Sequence, residues 1–324
     1  MSAPLGFLRR PSAPASASVA ASTASPPSLA ALPATGVAIA VAMVRPRALE
    51  RLGADTPARA AFWSATLHDE ALAAWLAPLR PTRLRVGSEF CERLLPEPAQ
   101  LARTLAEASV AGLEVCLLTP VASPEVLRAL DALFALLPPG AEVVVNDWGV
   151  ALRLRERHPL LQAVAGRILC RMLKDPRLGN PQYAPPAAHG FASPWTRRLL
   201  ARLGIARVEI DLPLFASADS FAGVPLPLGV HLPFAFVAKG RMCRTAGLAR
   251  EGPERFAARP FCHHECLGLA ARTERTRDGT HDAWETLHVG NTVFCRHSAA
   301  NLATLASAVA AGRVARLIVP GETL

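Results

Sequence analysis

From residue 36 onward, short blocks of apolar residues alternate with longer stretches in which apolar positions return every third or fourth residue. The blocks are Gly36–Val44, Arg83–Gly87, Leu113–Leu118, Ala141–Asn146, Gly166–Cys170, Ala206–Ile210, Val230–Val237 and Val314–Val319. Near-continuous apolar runs of this length predict strands covered on both faces, as in a parallel sheet. Helical spacing predicts a helix over Phe62–Ala77. Pro98 marks the first turn of another, running to about Ala111, because a first-turn proline forfeits no hydrogen bond. Ser123 and Ser298 are placed to cap helices over Pro124–Leu137 and Ala299–Ala311. Eight strands with helices between them make an α/β chain of βαβ units. Closure into a (β/α)8 TIM-barrel-like fold is the simplest arrangement, and the usual length of about 250 residues fits 36–324. An open doubly wound sheet would produce a similar pattern.

Residues 1–35 lack the pattern and are rich in Ala, Ser and Pro, which predicts a disordered tail ahead of a single barrel-like domain at 36–324. Arg9-Arg10 superficially resembles a twin-arginine export signal, but prolines interrupt the apolar region such a signal needs. The most apolar stretch, Gly36–Val44, is far short of the roughly 20 residues that span a bilayer. A cytoplasmic protein is the expectation. Hydrophobic residues make up 51% of the 324, too many for a disordered chain and enough for a full core.

Arg and Lys outnumber Asp and Glu by 35 to 26, and only Lys174 and Lys239 are lysine. A net charge of +9 permits anionic partners, yet no run of five basic residues occurs. Aromatic residues total 6%, Tyr183 is the one tyrosine, and the sequence displays no basic–aromatic platform for RNA. Several activity classes lack their motifs. Gly223–Gly229 has the wrong spacing for a phosphate loop, no G-x-S-x-G elbow occurs, and His263-His264-Glu265 lacks the second histidine of a zinc peptidase helix.

The seven cysteines divide by context. Cys116, Cys170 and Cys295 sit in apolar runs, where a free thiol behaves as a small hydrophobe. Cys91 follows a strand in Gly87-Ser88-Glu89-Phe90-Cys91. Cys243 follows another in Lys239-Gly240-Arg241-Met242-Cys243, and Cys262 and Cys266 bracket His263-His264-Glu265 in a cysteine-rich segment after the seventh strand. A barrel collects the ends of its strands on one face, so these four thiols can meet there. Four thiolates suit an iron–sulfur cluster or zinc, and His263 and His264 keep mixed Cys/His zinc open as well. Arg93, Arg241 and Arg244 flank the cysteines and can offset their charge. Glu89, Asn146, Asp147 and Asp211 fall near strand ends and are candidates for substrate contacts, with capping and loop hydrogen bonds as the alternative.

The order of these segments resembles the collagenase-like peptidase family U-32 over residues 36–324. It runs from Gly-Ser-Glu-Phe-Cys91 through Val143-Val144-Val145-Asn146-Asp147-Trp148-Gly149 to Leu232-Pro233-Phe234-Ala235 before Arg241 and Cys243. Cys262-x-x-x-Cys266, Gly290-Asn291-Thr292, Asn301-Leu302 and the strand leading to Pro320 complete it. The nearest resemblance is to the UbiV branch of ubiquinone biosynthesis. It implies a [4Fe–4S] cluster held by Cys91, Cys243, Cys262 and Cys266, and a part in oxygen-independent hydroxylation of the aromatic ring of a quinone precursor, with prephenate as oxygen donor. It further implies a heterodimer with a UbiU-like partner of the same family and a lipid-binding SCP-type accessory protein. Other branches of U-32 imply hydroxylation of tRNA or rRNA, and the family name implies a peptidase. A zinc-binding module remains the reading outside the family.

Overall fold

A strand whose every residue is apolar needs cover on both faces, and a closed barrel ringed by helices supplies it. The computed structural model describes residues 29, 36–47, 49–172, 189–213, 216–224, 226–248, 250–256, 262–277 and 280–322. Apart from Leu29, the expected disordered tail at 1–35 lies outside them.

The chain begins with β1 (Ala38–Met43) and three helices, α1 (Glu50–Gly53), α2 (Thr56–Leu67) and α3 (Glu70–Leu76). Alternating units follow: β2 (Arg83–Gly87), α4 (Pro98–Val110), β3 (Glu114–Leu118), α5 (Pro124–Phe134), β4 (Glu142–Val145), α6 (Trp148–Arg157), β5 (Gln162–Ala165), α7 (Pro194–Arg202), β6 (Arg207–Asp211) and β7 (Leu228–His231). The chain then leaves the barrel through β8 (Phe234–Lys239), α8 (Arg244–Gly247), β9 (Ala271–Arg277), β10 (Thr280–Val289) and β11 (Thr292–Arg296), and returns through α9 (Ala299–Ala310) to β12 (Arg316–Pro320).

Strands β1 to β7 and β12 close a parallel barrel, with β1 paired to both β2 and β12: Val41 lies opposite Leu84 on one side and Val319 on the other. The expected (β/α)8 closure is therefore the observed one. The open doubly wound alternative falls, because β12 bridges β1 and β7 and leaves the sheet no edge. A second, antiparallel sheet of order β8-β11-β10-β9 is inserted between β7 and β12.

Three expectations need correction. The helix expected over 62–77 is two helices, because His68 takes a left-handed conformation (φ 52°) and the Asp69 carboxylate starts a new helix by accepting from Leu72 N. The strand expected at Gly166–Cys170 is a turn, and the strand itself is β5, four residues earlier. Gly166 lies directly under the Asn146 side chain, and Asn146 Oδ1 accepts from Ile168 N (3.2 Å), which curls the chain out of the sheet. The run Val230–Val237 is two strands in different sheets, β7 and β8, separated at Leu232-Pro233. Proline has no N–H to give a ladder, so a break there is the expected one.

At the N-terminal end of the barrel, Arg83, Glu142, Arg207 and Arg316 come from alternate strands and make one layer of the interior. Glu142 takes two bonds from Arg316 (2.5 and 3.0 Å) and lies 3.4 Å from Arg83 and 3.2 Å from Arg207. Those neighbours hold its carboxyl below the usual range although burial pushes the other way.

Gly166 gives a test of how tightly the mouth end is built. A Cβ there would fall 2.3 Å from Asn146 Oδ1, and Asn146 is itself fixed by donating to Thr119 O (3.0 Å). Gly166→Ala is expected to lower the free energy of urea unfolding by about 1–3 kcal/mol. Gly268→Ala, where a Cβ meets nothing within 4 Å, is expected to stay within about 0.5 kcal/mol of the parent. Equal midpoints for the two variants would show that Asn146 gives way easily.

Candidate functional site at the barrel mouth

Loops leaving the C-terminal ends of barrel strands gather on one face, and the inserted sheet packs over that face here. Cys91 is held by a turn after β2, in which Ser88 Oγ accepts from both Phe90 N and Cys91 N (3.2 Å each). The Asn291 side-chain amide, in the turn between β10 and β11, then ties two loops together. Its nitrogen donates to Phe90 O (2.8 Å) and to Gly240 O (2.9 Å). Cys243 precedes α8, and its sulfur accepts from Ala246 N (3.4 Å). Cys262 Sγ accepts from His264 N (3.4 Å), and His264 adopts φ 58°, the tight turn that carries the chain on to Cys266. Cys266 rests on Gly290, where a Cβ would stand 3.5 Å from its sulfur.

These four cysteines are half-buried and line one cavity of about 820 Å³. The other three are buried elsewhere. Cys116 packs with Leu118, Val144 and Val164 inside the barrel, Cys170 ends the turn after β5, and Cys295 faces Ala235 across β11 and β8. That is the division the sequence context implies. The four sulfurs also feel one another. Burial, and then Cys243, Cys91 and Cys262, push the Cys266 thiol up to about 12. Burial first, with Cys262 and Cys243 adding to it, also raises Cys91. Two thiols pushed up by burial and by neighbouring sulfurs, in a cavity that two more cysteines line, mark a donor set suited to a cationic centre.

Four thiols on one wall are a donor set that suits an iron–sulfur cluster or a zinc ion. Arg93, Lys239 and Arg241 also line the cavity.

The floor is a buried ion network that sequence reasoning did not find. Arg167 Nε donates to Glu89 Oε2 (3.0 Å) and Arg167 Nη1 to Asp211 Oδ1 (2.8 Å). Its guanidinium carbon lies 5.0, 5.8 and 5.9 Å from the ring centres of Phe90, Phe236 and Phe294, so one side chain joins the barrel to the inserted sheet. Beside it, Glu209 Oε2 accepts from Arg85 Nη2 (2.6 Å) and lies 3.2 Å from His231 Nε2. Donor atoms of Glu89, Glu209 and His231 fall within 4.8 Å of one another, as in a metal site. Two guanidiniums already occupy these carboxylates, however, and would repel a dication.

Of the four residues proposed for substrate contact, Glu89 lines the cavity and Asp211 lies beneath it under Arg167. Asn146 bonds Thr119 O and Ile168 N, and Asp147 caps α6 by accepting from Gly149 N and Val150 N, so both serve the backbone. Arg167 and His231 were missed although both stand at strand ends. Arg167 was hidden by the misplaced fifth strand, and His231 by an apolar run that continues past it.

His231 carries a pH prediction. Burial, followed by Arg167 and Arg85, holds its imidazole well below the ordinary 6.5. The folded state thus keeps it neutral where the unfolded chain takes up a proton. Stability is full above pH 6.5 and falls as the pH drops from there toward the folded value. Urea unfolding is expected to weaken over that window by up to about 1.4 kcal/mol per pH unit, with a shallower slope in His231→Gln. The same slope in both proteins would assign the effect to other groups.

No family model and no curated protein sequence matches the chain. Among solved structures, the U32 peptidase Mk0906 is similar with a TM-score of 0.37 and 14% identity, over 74% of this chain and 84% of that one. Dihydropteroate synthase from Thermus thermophilus is similar with a TM-score of 0.34 and 16% identity, over 89% of this chain and 88% of that one. Likeness at this level carries no statement about activity; the barrel rests on the strand pairing itself.

Proposed function

We propose that the barrel mouth holds a [4Fe–4S] cluster on Cys91, Cys243, Cys262 and Cys266, and that the protein takes part in oxygen-independent hydroxylation of the aromatic ring of a quinone precursor with a UbiU-like partner. The observation that carries the cluster is the convergence of four half-buried cysteines, one from a barrel loop and three from the insertion, on a single cavity. When bound, such a cluster supplies one-electron chemistry at a potential tuned by hydrogen bonds to its sulfurs and by exposure. Ala246 N and His264 N already donate to Cys243 and Cys262. Arg93, Lys239 and Arg241 offset negative charge at the same wall.

The hydroxylation reading draws on the motif order shared with the UbiV branch of U-32 and on the rest of the cavity. Phe90, Leu118 and Phe294 give it apolar walls, while Glu89, Arg167 and His231 give it a polar floor. Its volume of about 820 Å³ lies within the range of small-molecule sites. An apolar ring with a polar substituent suits walls and floor together.

The test is protein purified without oxygen, with a visible spectrum and counts of iron, sulfide and zinc. A brown protein absorbing near about 400 nm, with about four irons and four sulfides per chain, is the expected result. Colourless protein holding one zinc would overturn the reading. Restored anaerobic quinone synthesis on adding a UbiU-like chain would then test the pathway.

A further inference from the structure

Outside the cavity lining, α6 and α7 are neighbours on the outside of the barrel, since they flank β5 on either side in the chain. The Arg155 guanidinium donates to Arg202 O and fastens their C-terminal ends together. Each helix buries one stripe, Val150, Ala151 and Leu154 in α6 and Leu200 in α7. The remaining surface is strongly biased. The two helices carry six arginines and one glutamate. Arg153 is spent on Asp131 and Arg197 reaches Gly223 O (2.9 Å), while Arg155, Arg157, Arg198 and Arg202 are exposed.

Exposed large apolar side chains occur on the same two helices and in the turn that follows α6. Trp195 is 76% exposed, Leu160 69% and Leu152 41%. On α7, Trp195, Arg198 and Arg202 follow one another at helical spacing along one face, and the Arg198 guanidinium lies 5.0 Å over the Trp195 ring. A single exposed leucine is ordinary. Three exposed apolar residues on a stretch that also exposes four arginines are not, and the combination selects a partner that is both anionic and apolar.

Nucleic acid meets only half of that description. Bases stack on aromatic platforms, and here two of the three apolar side chains are aliphatic, while Arg198 already covers the one ring. The Arg198–Trp195 pair is too small to hold successive bases. A lipid surface meets the whole description. Arginines engage headgroup phosphates, tryptophan favours the headgroup level, and leucines reach the acyl boundary. We infer that the α6–α7 face docks this protein on an anionic lipid surface. The inference stands apart from the barrel mouth and does not depend on what the cavity holds.

The test uses the full chain and sedimentation with vesicles of phosphatidylcholine alone or mixed with phosphatidylglycerol. Binding to the mixed vesicles only, weakening with salt and accompanied by a blue shift of tryptophan emission, is expected. Arg198→Glu with Arg202→Glu is expected to lower partitioning about 100-fold, and Trp195→Ala about tenfold. The emission shift is expected to vanish in Trp195→Phe. These side chains are exposed, so the variants are expected to keep the parent's urea midpoint. Equal binding to both vesicle types, or full binding by the Arg198/Arg202 variant, would overturn the inference. So would binding of a single-stranded RNA with quenching of Trp195 where vesicles leave it unchanged.

Discussion

Alanine at any one of Cys91, Cys243, Cys262 or Cys266 is expected to strip the protein of iron and of its visible absorption, whereas Cys116→Val, Cys170→Ala and Cys295→Ala leave both at the parent level. The contrast comes from placement. The first four are half-buried on one cavity, and two of them already accept backbone hydrogen bonds through sulfur. The other three are buried within apolar packing. For Cys116, burial comes first in pushing the thiol up to about 12, so it stays a neutral hydrophobe. Valine in its place changes shape by little and is expected to cost less than about 1.5 kcal/mol. Iron and sulfide counts on anaerobically purified variants decide the matter. Full iron in Cys262→Ala, or its loss in Cys116→Val, would show that the ligand set is wrong.

Arg167→Met is expected to destabilise the protein by about 3–5 kcal/mol in urea unfolding, the largest effect of any single change at the floor. Arg167 is buried, and burial alone would weaken its charge, yet Glu89 and Asp211 hold it firmly protonated. Methionine keeps much of the contact with Phe90, Phe236 and Phe294 but removes the guanidinium that Glu89 and Asp211 share. Adding Glu89→Gln and Asp211→Asn to the Met variant removes those charges and is expected to recover a good part of the loss. If the triple variant is no more stable than Arg167→Met, the cost lies in packing and not in unpaired charge.

The barrel was legible because parallel strands and their helices write their periods locally. Arg83–Gly87 is observed with its expected bounds, and Ser123 and Ser298 cap the helices assigned to them. Failures occurred where a distant side chain sets the local path. The turn at Gly166 depends on Asn146, twenty residues earlier, whose side-chain oxygen Oδ1 accepts from Ile168 N. The inserted sheet was missed because the polar strand β9, Ala-Arg-Thr-Glu-Arg-Thr-Arg, has no apolar run to announce it. For the candidate site, residue type and strand-end position picked out the four cysteines that share a cavity. The floor stayed hidden, because Arg85, Arg167, Glu209 and His231 become partners only when β2, β5, β6 and β7 close around one axis.

The cysteines are also unevenly divided along the chain. Cys91 belongs to the barrel, while Cys243, Cys262 and Cys266 belong to the excursion between β7 and β12. Any group held by all four sulfurs is a crosslink closing a loop of roughly 150 residues, a constraint of about 4–5 kcal/mol on the unfolded chain by polymer arithmetic. Without it, the contacts that hold the insertion to the barrel include the Arg167 stack, the Asn291 bond to Phe90 O and the Arg296 bonds to Leu67 O and Asp69. Occupancy would then act as a fastener. Protein without such a group is expected to keep a closed barrel while the insertion opens more often, and faster amide exchange there, not in the barrel strands, would record the difference.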